Sequence, residues 1–235
     1  MNNEELRRRF ATLTTAHVAD ACIRAEVPVR CAPSALQAVI ADGRLVGRVI
    51  PARHVGSVDI FLEALGDAAA GSVLVVDNGG RLDESCVGDL MALEVQGARL
   101  AGIVIWGLHR DTAEIVEIGM PVFSLGAIPT GPLSLGIRPP DALEVATVGE
   151  WTVGPDDIVL GDEDGILFIP ADRAEELFTI AETIRDTERR QAERIRGGDS
   201  LRSQVKFDEY LAARAKNPDL GFREHLRGVG AAIEV

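Results

Sequence analysis

Apolar residues along the middle of the chain alternate between strand-like runs and helical spacing. The runs "SVLVVD" (72–77) and "GIVIWG" (102–107) are short, apolar and rich in valine or isoleucine, which predicts buried strands. Helical spacing follows in "DIFLEALGDA" (59–68), "DLMALEVQGARL" (89–100) and "TAEIVEIG" (112–119). Strands that alternate with helices predict crossover units and a mixed α/β core.

The segments around this core extend the pattern. "NEELRRRFATL" and "TTAHVADACIRA" predict two opening helices, the second capped by Thr14 or Thr15. "RLVGRVIPARHV" and "PVFSLGA" predict strands, and the Gly, Asn and Asp content of "NGGRLDESCVG" (78–88) predicts a loop. In helix 89–100, we expect Leu90 and Leu93 to lie on the apolar side with Gly97 and Ala98.

The pattern changes twice toward the C-terminus. Residues 143–170 contain short strands broken by Gly, Pro and Asp, which favours antiparallel pairing. Residues 171–196 predict a long charged helix ended by "GG", and 199–215 predict a further helix capped by Asp199 or Ser200. We therefore predict a domain over 1–170 and a helical extension over 171–235, which packs on a neighbouring subunit through an apolar stripe of Leu177, Ile180, Ala181 and Ile184.

Composition excludes several classes of function. A net charge of −13 disfavours nucleic acid as a partner, because an acidic surface repels phosphates. No apolar stretch approaches the roughly 20 residues of a membrane helix, and "MNNEELRRRF" lacks the apolar core of a signal peptide. We therefore expect a soluble cytoplasmic protein that does not bind membranes.

The cysteines, histidines and lysines narrow the chemistry further. We expect Cys22, Cys31 and Cys86 to be reduced and to serve as small buried hydrophobes. The four histidines show no zinc-binding spacing. The only lysines, Lys206 and Lys216, lie in the charged C-terminal segment, whereas a Schiff-base lysine needs a dry pocket. The sequence therefore argues against lysine-imine aldolases and pyridoxal phosphate enzymes.

"WGLHRD" (106–111) ends a predicted buried strand with Arg110 and Asp111, directly before a helix. Asp89 likewise begins a predicted helix. Helix N-termini bind anions, arginine grips carboxylates with two hydrogen bonds, and carboxylates hold Mg²⁺. Because neighbouring helix positions do not face one another, Arg110 and Asp111 need not pair and can serve two ligands. A structural interpretation stays open, in which Asp111 and Glu114 form a capping box and Asp89 is an ordinary N-cap.

The stretch "GDLMALEVQGARLAGIVIWGLHRD" (88–111) resembles the family of the regulator of ribonuclease activity A, the RraA-like family. That family includes the 4-hydroxy-4-methyl-2-oxoglutarate / 4-carboxy-4-hydroxy-2-oxoadipate aldolases. Its hallmark is a G-D or G-E pair, a helix, and a strand that ends in R-D. "TTAHVADA", "SVLVVDNGG", "GMPVF" and "VGPDDIVLGDEDGILFIP" agree with it, so that the resemblance covers about residues 12–170.

The resemblance implies an α/β fold, a three-layer β/β/α domain of the swivelling type, assembled as trimers or hexamers with the site between subunits. It implies that the substrate is bound by Gly88, Asp89, Leu90, Met91 and Arg110, partly through backbone N–H groups. Arg110 would stabilise the enolate, Asp89 would position a proton-carrying water, and Asp111 would bind a divalent metal, Mg²⁺ or Mn²⁺. The implied activity is a metal-dependent lyase that cleaves 4-hydroxy-2-oxo diacids or decarboxylates oxaloacetate through a pyruvate enolate.

The chain departs from the family pattern at two positions. Trp106 stands where many relatives have an acid, and we expect it to be a packing residue. His109 stands where a small residue is common, and we expect it to face solvent from a loop.

Two other functions stay open. One is a non-catalytic regulator that binds a protein such as a ribonuclease. The other is a methyltransferase, which "VLVVDNGG" favours only superficially because no G-x-G-x-G loop follows it.

Overall fold

The computed structural model describes residues 1–133 and 135–229. Its helices are α1 (Asn3–Phe10), α2 (Thr15–Arg24), α3 (Asp59–Gly66), α4 (Asp89–Gly97), α5 (Thr112–Ile118), α6 (Ala174–Arg196), α7 (Leu201–Gln204), α8 (Phe207–Lys216) and α9 (Phe222–Val229), with a 3₁₀ turn at Ala171–Arg173. Its strands are β1 (Arg30–Cys31), β2 (Gln37–Ala38), β3 (Leu45–Arg53), β4 (Val73–Asp77), β5 (Ser85–Val87), β6 (Gly102–Trp106), β7 (Leu108–His109), β8 (Val122–Ser124), β9 (Ala146–Val148), β10 (Trp151–Val153), β11 (Asp157–Asp162) and β12 (Gly165–Pro170).

One eight-stranded sheet organises the fold, in the order β1-β12-β11-β3-β4-β6-β8-β2. Strands β3, β4, β6 and β8 pair in parallel, as the alternating pattern predicts, whereas β11 and β12 pair antiparallel. Crossover helices separate the parallel strands along the chain. The carboxyl ends of β3, β4 and β6 therefore meet at one edge of the sheet, the edge at which open α/β sheets bind ligands.

The central strands bury alternate side chains in two different cores. Leu74 and Val76 of β4 join one core with residues of α3, α4 and α5, such as Phe61. Val73 and Val75 join the other with residues of β9, β10 and β12, such as Phe168. Helices therefore cover one face of the central strands. The other face is covered by a second β layer, which consists of β9 and β10 together with β12 from the far side of the curled sheet. This arrangement is the three-layer β/β/α architecture that the sequence predicts, and the C-terminal helices are present as well.

The chain divides into two compact units. The first comprises residues 1–16 and 29–175, and the second comprises 17–28 and 176–235. The predicted domain boundary after residue 170 stays a prediction. In the second unit, Leu177, Ala181 and Ile184 of α6 are fully buried within the chain itself. The apolar stripe therefore does not by itself require a neighbouring subunit.

Several element boundaries differ from the predictions. The predicted loop 78–88 contains strand β5. The helix predicted over 199–215 is two helices, α7 and α8, because Lys206 adopts a left-handed conformation with φ +51°. Ser200 caps α7, as one of the two predicted alternatives, by accepting a hydrogen bond from the Ser203 amide. Helix α9 was not predicted.

Over residues 1–133 and 135–229, no helix combines the length and the hydrophobicity that crossing a bilayer requires.

Candidate active site

Two short strands bring the separate parts of the predicted site together. Strand β5 pairs in parallel with β7, and the Arg110 amide donates to the Val87 carbonyl at 3.0 Å. This backbone pairing joins the segment before α4 to the segment before α5. Gly88 and Asp89 consequently lie beside Arg110 and Asp111, although a helix and a strand separate the two pairs in the sequence.

A cleft of about 570 Å³ lies at this junction. Its walls include all five residues predicted to bind substrate, namely Gly88, Asp89, Leu90, Met91 and Arg110. Helix α4 begins at the cleft, so that the positive end of its dipole lies in the cleft wall. An arginine and a helix N-terminus in one cleft form a suitable environment for an anion such as a carboxylate.

Gly88 allows the charged groups to approach the backbone. A Cβ atom at this position would lie 2.3 Å from Asp111 Oδ2 and 3.3 Å from Arg110 Nε. Both distances are shorter than ordinary van der Waals contact, and the first is impossible without movement. A residue with a Cβ at position 88 would therefore displace the Asp111 carboxylate from its position beside Arg110.

Arg110 and Asp111 form an ion pair, with 3.3 Å between Arg110 Nε and Asp111 Oδ2. The sequence left open whether the two residues pair, and they do so because Asp111 lies outside α5 as its N-cap, in a left-handed conformation (φ +58°, ψ +44°). The Asp111 side chain makes no capping hydrogen bond to α5. The capping-box interpretation therefore does not account for the Asp111 carboxylate, which contacts the guanidinium instead.

Helix α4 presents a different face to the core than the sequence predicts. Leu90 is 73% exposed and Leu93 is also exposed, whereas Met91, Ala92 and Val95 are buried. Gly88 is the N-cap, and Asp89 is the first helical residue, with its Oδ1 accepting from the Leu90 amide at 2.8 Å. The prediction of Leu90 and Leu93 as core residues is wrong, and Leu90 instead lies at the rim of the cleft.

His109 is buried, which corrects the prediction of a solvent-facing residue. Its Nδ1 is 2.7 Å from Ser124 Oγ and its Nε2 is 2.9 Å from Thr112 Oγ1, so that both ring nitrogens are used. Burial lowers the pKa of His109, which favours a neutral ring. These contacts hold the side chain of the residue directly before Arg110 in place.

His54 also lines the cleft, and the sequence analysis did not single it out. Its Nδ1 is 2.9 Å from Oδ1 of Asn78, and both residues are buried. A signal was present in the sequence, because His54 directly follows β3 and Asn78 directly follows β4. Residues that follow neighbouring parallel strands lie at the same edge of the sheet, which is the edge of Arg110.

Other predictions on side chains have mixed outcomes. Within the described residues, no disulfide links the three cysteines, but Cys31 is exposed and Cys86 is half-buried, so that only Cys22 is the buried hydrophobe predicted. Lys206 and Lys216 are exposed, and neither lies in a dry pocket. Trp106 packs against the core shared with the second β layer, which confirms its predicted packing role.

One carboxylate of the predicted site is suited to a metal ion, but no preformed cluster surrounds it. Among residues 1–133 and 135–229, no cluster of three or more His, Cys, Asp or Glu side chains is arranged to hold a metal. Mg²⁺, however, commonly binds through one or two carboxylates and keeps water or substrate oxygens as its other ligands. The half-buried Asp111 carboxylate can supply one such contact.

A model of the RraA-like family, described as Aldolase/RraA, matches residues 15–168 of the chain. This range contains both sheet faces and the whole cleft. The chain belongs to the RraA-like family. Within the family, a protein of Aromatoleum aromaticum provisionally named 4-hydroxy-4-methyl-2-oxoglutarate aldolase is 30% identical over 149 residues, which are 63% of this chain and 92% of that protein.

Two further RraA-like similarities extend the comparison. Protein DlpA of Legionella pneumophila is 32% identical over 130 residues, which are 55% of this chain but only 21% of DlpA. The crystal structure of Streptomyces coelicolor RraAS2, titled as an unusual member of the RNase ES inhibitor RraA protein family, matches with a TM-score of 0.70 at 22% identity, covering 83% of this chain and 100% of RraAS2. The latter similarity supports the fold, which is the three-layer architecture described above.

Proposed function

We propose that this RraA-like protein is a divalent-metal-dependent lyase that acts on 2-oxo acids. The reaction is retro-aldol cleavage of 4-hydroxy-2-oxo diacids, decarboxylation of oxaloacetate, or both, and each passes through a pyruvate enolate. One observation carries the proposal: the Arg110 guanidinium and the N-terminus of α4 line the same cleft. The names of relatives such as the Aromatoleum protein support the same class of reaction.

The residues at the cleft have different roles in such a reaction. The N-terminal turn of α4, from Gly88 to Met91, binds the substrate carboxylate through backbone N–H groups. Arg110 holds the 2-oxo oxygen, on which negative charge develops when the C–C bond breaks, and a fixed cation there stabilises the transition state. Asp89 orients a water molecule that carries protons. Asp111 would hold a divalent ion, which would act as a Lewis acid and stabilise negative charge without needing a lysine.

We further propose that the active form is a trimer or hexamer with the cleft at a subunit boundary. Val58, Leu62 and Leu90 are apolar, about half or more exposed, and all line the cleft. Exposed apolar side chains grouped in this way are typical of surfaces that another molecule covers. Light scattering measures this directly, and a species of 25.1 kDa alone at working concentration would contradict it.

The same apolar rim favours a second candidate, a regulator that binds a partner protein and does not catalyse a reaction. A methyltransferase has no comparable support. Gly79 and Gly80, the glycines after β4, form a turn with positive φ at both positions. A Cβ on Gly80 would lie 2.9 Å from the Trp106 indole, so that this glycine serves packing rather than nucleotide binding.

A panel of 2-oxo acids, including 4-hydroxy-4-methyl-2-oxoglutarate and oxaloacetate, tests the lyase. We expect pyruvate release that EDTA abolishes and that Mg²⁺ or Mn²⁺ restores. Borohydride added with substrate should not inactivate the protein, because no imine forms. Full activity in EDTA would contradict the metal dependence, and borohydride inactivation would contradict the lysine-independent mechanism. Absence of pyruvate from every substrate would leave the regulator as the better candidate.

A further inference from the structure

His54 is a titratable side chain in the cleft for which the proposed reaction, as described so far, has no role. The side chain is held at two points. Its Nδ1 is 2.9 Å from Asn78 Oδ1, and its ring stacks on Phe61 with 5.2 Å between centroids and 9° between planes. The histidine is 6% exposed, and its orientation is therefore fixed by its neighbours.

The contact with Asn78 selects one tautomer of His54. An amide oxygen can only accept a hydrogen bond, so that Nδ1 donates and Nε2 carries the lone pair. Among the described residues, His54 Nε2 makes no hydrogen bond, and the residue lines the cleft. The lone pair of Nε2 is therefore not used by any of the described residues. His109 offers no such atom, because both of its ring nitrogens are bonded.

The amide of Asn78 is only partly satisfied in this arrangement. Its Nδ2 is buried and has no hydrogen-bond partner among the described residues. An unsatisfied buried amide is destabilising, by about 1–3 kcal/mol, and functional sites are where such costs are often retained. The Asn78 oxygen thus accepts a hydrogen bond from His54, while its Nδ2 has no partner among the described residues.

The surroundings keep His54 neutral. Burial lowers its pKa, and Arg81 lowers it further, whereas the hydrogen bond to Asn78 and the charges of Glu84 and Asp59 raise it. Burial is the largest of these effects, so that the net shift is downward. A histidine with a lowered pKa is unprotonated at neutral pH and can accept a proton.

The topology places His54 and the segment before Arg110 at the same edge of the sheet. In the parallel register, Arg53 pairs with Asp77 and Asp77 pairs with Trp106. His54, Asn78 and the segment that leads to Arg110 therefore leave the sheet at one edge, from adjacent strands. Both His54 and Arg110 line the single cleft described above.

We propose that His54 is the catalytic base of the retro-aldol step, an inference that rests on the proposed lyase function. Nε2 takes the proton from the C4 hydroxyl of a 4-hydroxy-2-oxo acid. The O–H electrons form the C4 carbonyl, the C3–C4 bond breaks, and its electron pair forms the C2–C3 double bond of an enolate whose oxygen Arg110 holds. The imidazolium then returns the proton to C3, which yields pyruvate and leaves His54 neutral.

Decarboxylation of oxaloacetate separates this role from that of Arg110. In that reaction, C3–C4 cleavage releases CO₂ and the electron pair forms the same enolate, but no hydroxyl proton has to be removed. The enolate takes its last proton from water. Arg110 is therefore needed for both reactions, whereas His54 is needed for the retro-aldol reaction alone.

The experiment compares both reactions in one preparation of His54→Gln and one of the wild-type protein. We expect kcat for retro-aldol cleavage to fall by about 10²–10⁴, the usual contribution of a general base, while kcat for decarboxylation changes little. Imidazole added to His54→Ala should restore retro-aldol cleavage in part. The control is His225→Gln, because His225 lies in the second unit and bonds the Val205 carbonyl outside the cleft.

The outcomes distinguish failure of the role of His54 from failure of the proposed lyase function. Unchanged retro-aldol cleavage in His54→Gln, or equal loss of both reactions without rescue by imidazole, would remove His54 from the role of base while the lyase stands. A wild-type protein that cleaves neither substrate would instead refute the lyase itself. If the variants do not fold, the wild-type pH profiles decide. Retro-aldol kcat should fall on acidification at the pKa of His54 measured by NMR, and decarboxylation should lack that decrease.

Discussion

The two walls of the cleft are built in opposite ways. The arginine wall, formed by Gly88, Asp89 and Arg110, is charged and partly exposed, with 47% exposure at the Arg110 side chain and 34% at its ion-pair partner Asp111. The histidine wall is formed by His54, which is uncharged, buried and in contact with the buried residues Phe61 and Asn78. Backbone pairing of β5 with β7 positions the first wall, and side-chain packing positions the second.

This difference corresponds to two chemical demands. A group that grips an anionic substrate keeps its charge, and leaving it near water avoids the cost of desolvating it before the substrate binds. A group that takes a proton near neutral pH has to be uncharged beforehand, and burial ensures this for a histidine. Retro-aldol cleavage with His54 as the base requires a charged arginine and a neutral histidine in the same cleft.

The largest effect that we expect on both reactions together comes from the arginine wall. Arg110→Lys keeps the charge but loses the planar two-pronged donor. Its kcat for both reactions should fall by about 10²–10³, equivalent to roughly 3–4 kcal/mol, as for loss of one oxyanion donor. The melting temperature should barely change, because an exposed ion pair contributes little to folding. Near wild-type kcat would exclude Arg110 from the reaction, and parallel loss of kcat and stability would make its role structural.

A matched control for this substitution lies in α6. Arg194 is exposed and pairs with Asp199 at 2.5 Å, far from the cleft in sequence and within the second unit. Arg194→Lys makes the same chemical change and should alter neither kcat nor melting.

Gly88→Ala tests the geometry of the arginine wall without changing any charge. The added Cβ would meet Asp111 Oδ2 at 2.3 Å, so that the Arg110–Asp111 pair has to move. A displacement of about 1 Å in a catalytic group can reduce kcat by about 10², and we expect an effect of this size on both reactions. Steady-state kinetics with oxaloacetate measures it.

Helix α4 supplies the control for this prediction as well. A Cβ at Gly97 meets nothing within 4 Å, so that Gly97→Ala should keep full activity and gain about 0.5–1 kcal/mol of stability from helix propensity. Equal kinetics for the two alanine variants would show that the close approach at Gly88 has no catalytic importance.

The smallest effect concerns the stability of the histidine wall at low pH. The pKa of His54 is lowered by folding, so that below about 6.5 the unfolded chain takes up a proton that the folded protein does not. The free energy of unfolding contributed by His54 is thus fully present at neutral pH. It decreases as the pH falls through 6.5, and this decrease ends below the pKa of the folded state. Urea unfolding at pH 7 and pH 5 should show a smaller acid loss for His54→Gln than for the wild-type protein. An equal loss in both would contradict a lowered pKa.

Short-range patterns predicted most elements of the first unit. Valine and isoleucine runs predicted β4 and β6. Helical spacing between these strands predicted α4, and helical spacing after β6 predicted α5. The family motif then indicated Gly88, Asp89 and Arg110 as one site, which agrees with their common position in the cleft. Their catalytic roles, and the metal role of Asp111, stay predictions.

The errors have a common cause. Leu90 and Met91 are adjacent apolar residues, and nothing in their local sequence says which of them faces the core. His109 looked like a loop residue because it becomes a strand residue only through pairing with Val87 of β5, and its ring is bonded by Ser124 and Thr112. Both outcomes depend on contacts with segments elsewhere in the fold.

The sequence by itself determined the order of strands and helices, because hydrophobic periodicity is a local property that each segment carries. It also determined the charged residues available at the strand ends. Only the tertiary structure decided that Asp111 pairs with Arg110, and that His54 lines the cleft while Asn78 contacts its Nδ1. The second feature requires residues from different strands to lie within hydrogen-bonding distance, and that depends on the register of β3 and β4 in the folded sheet.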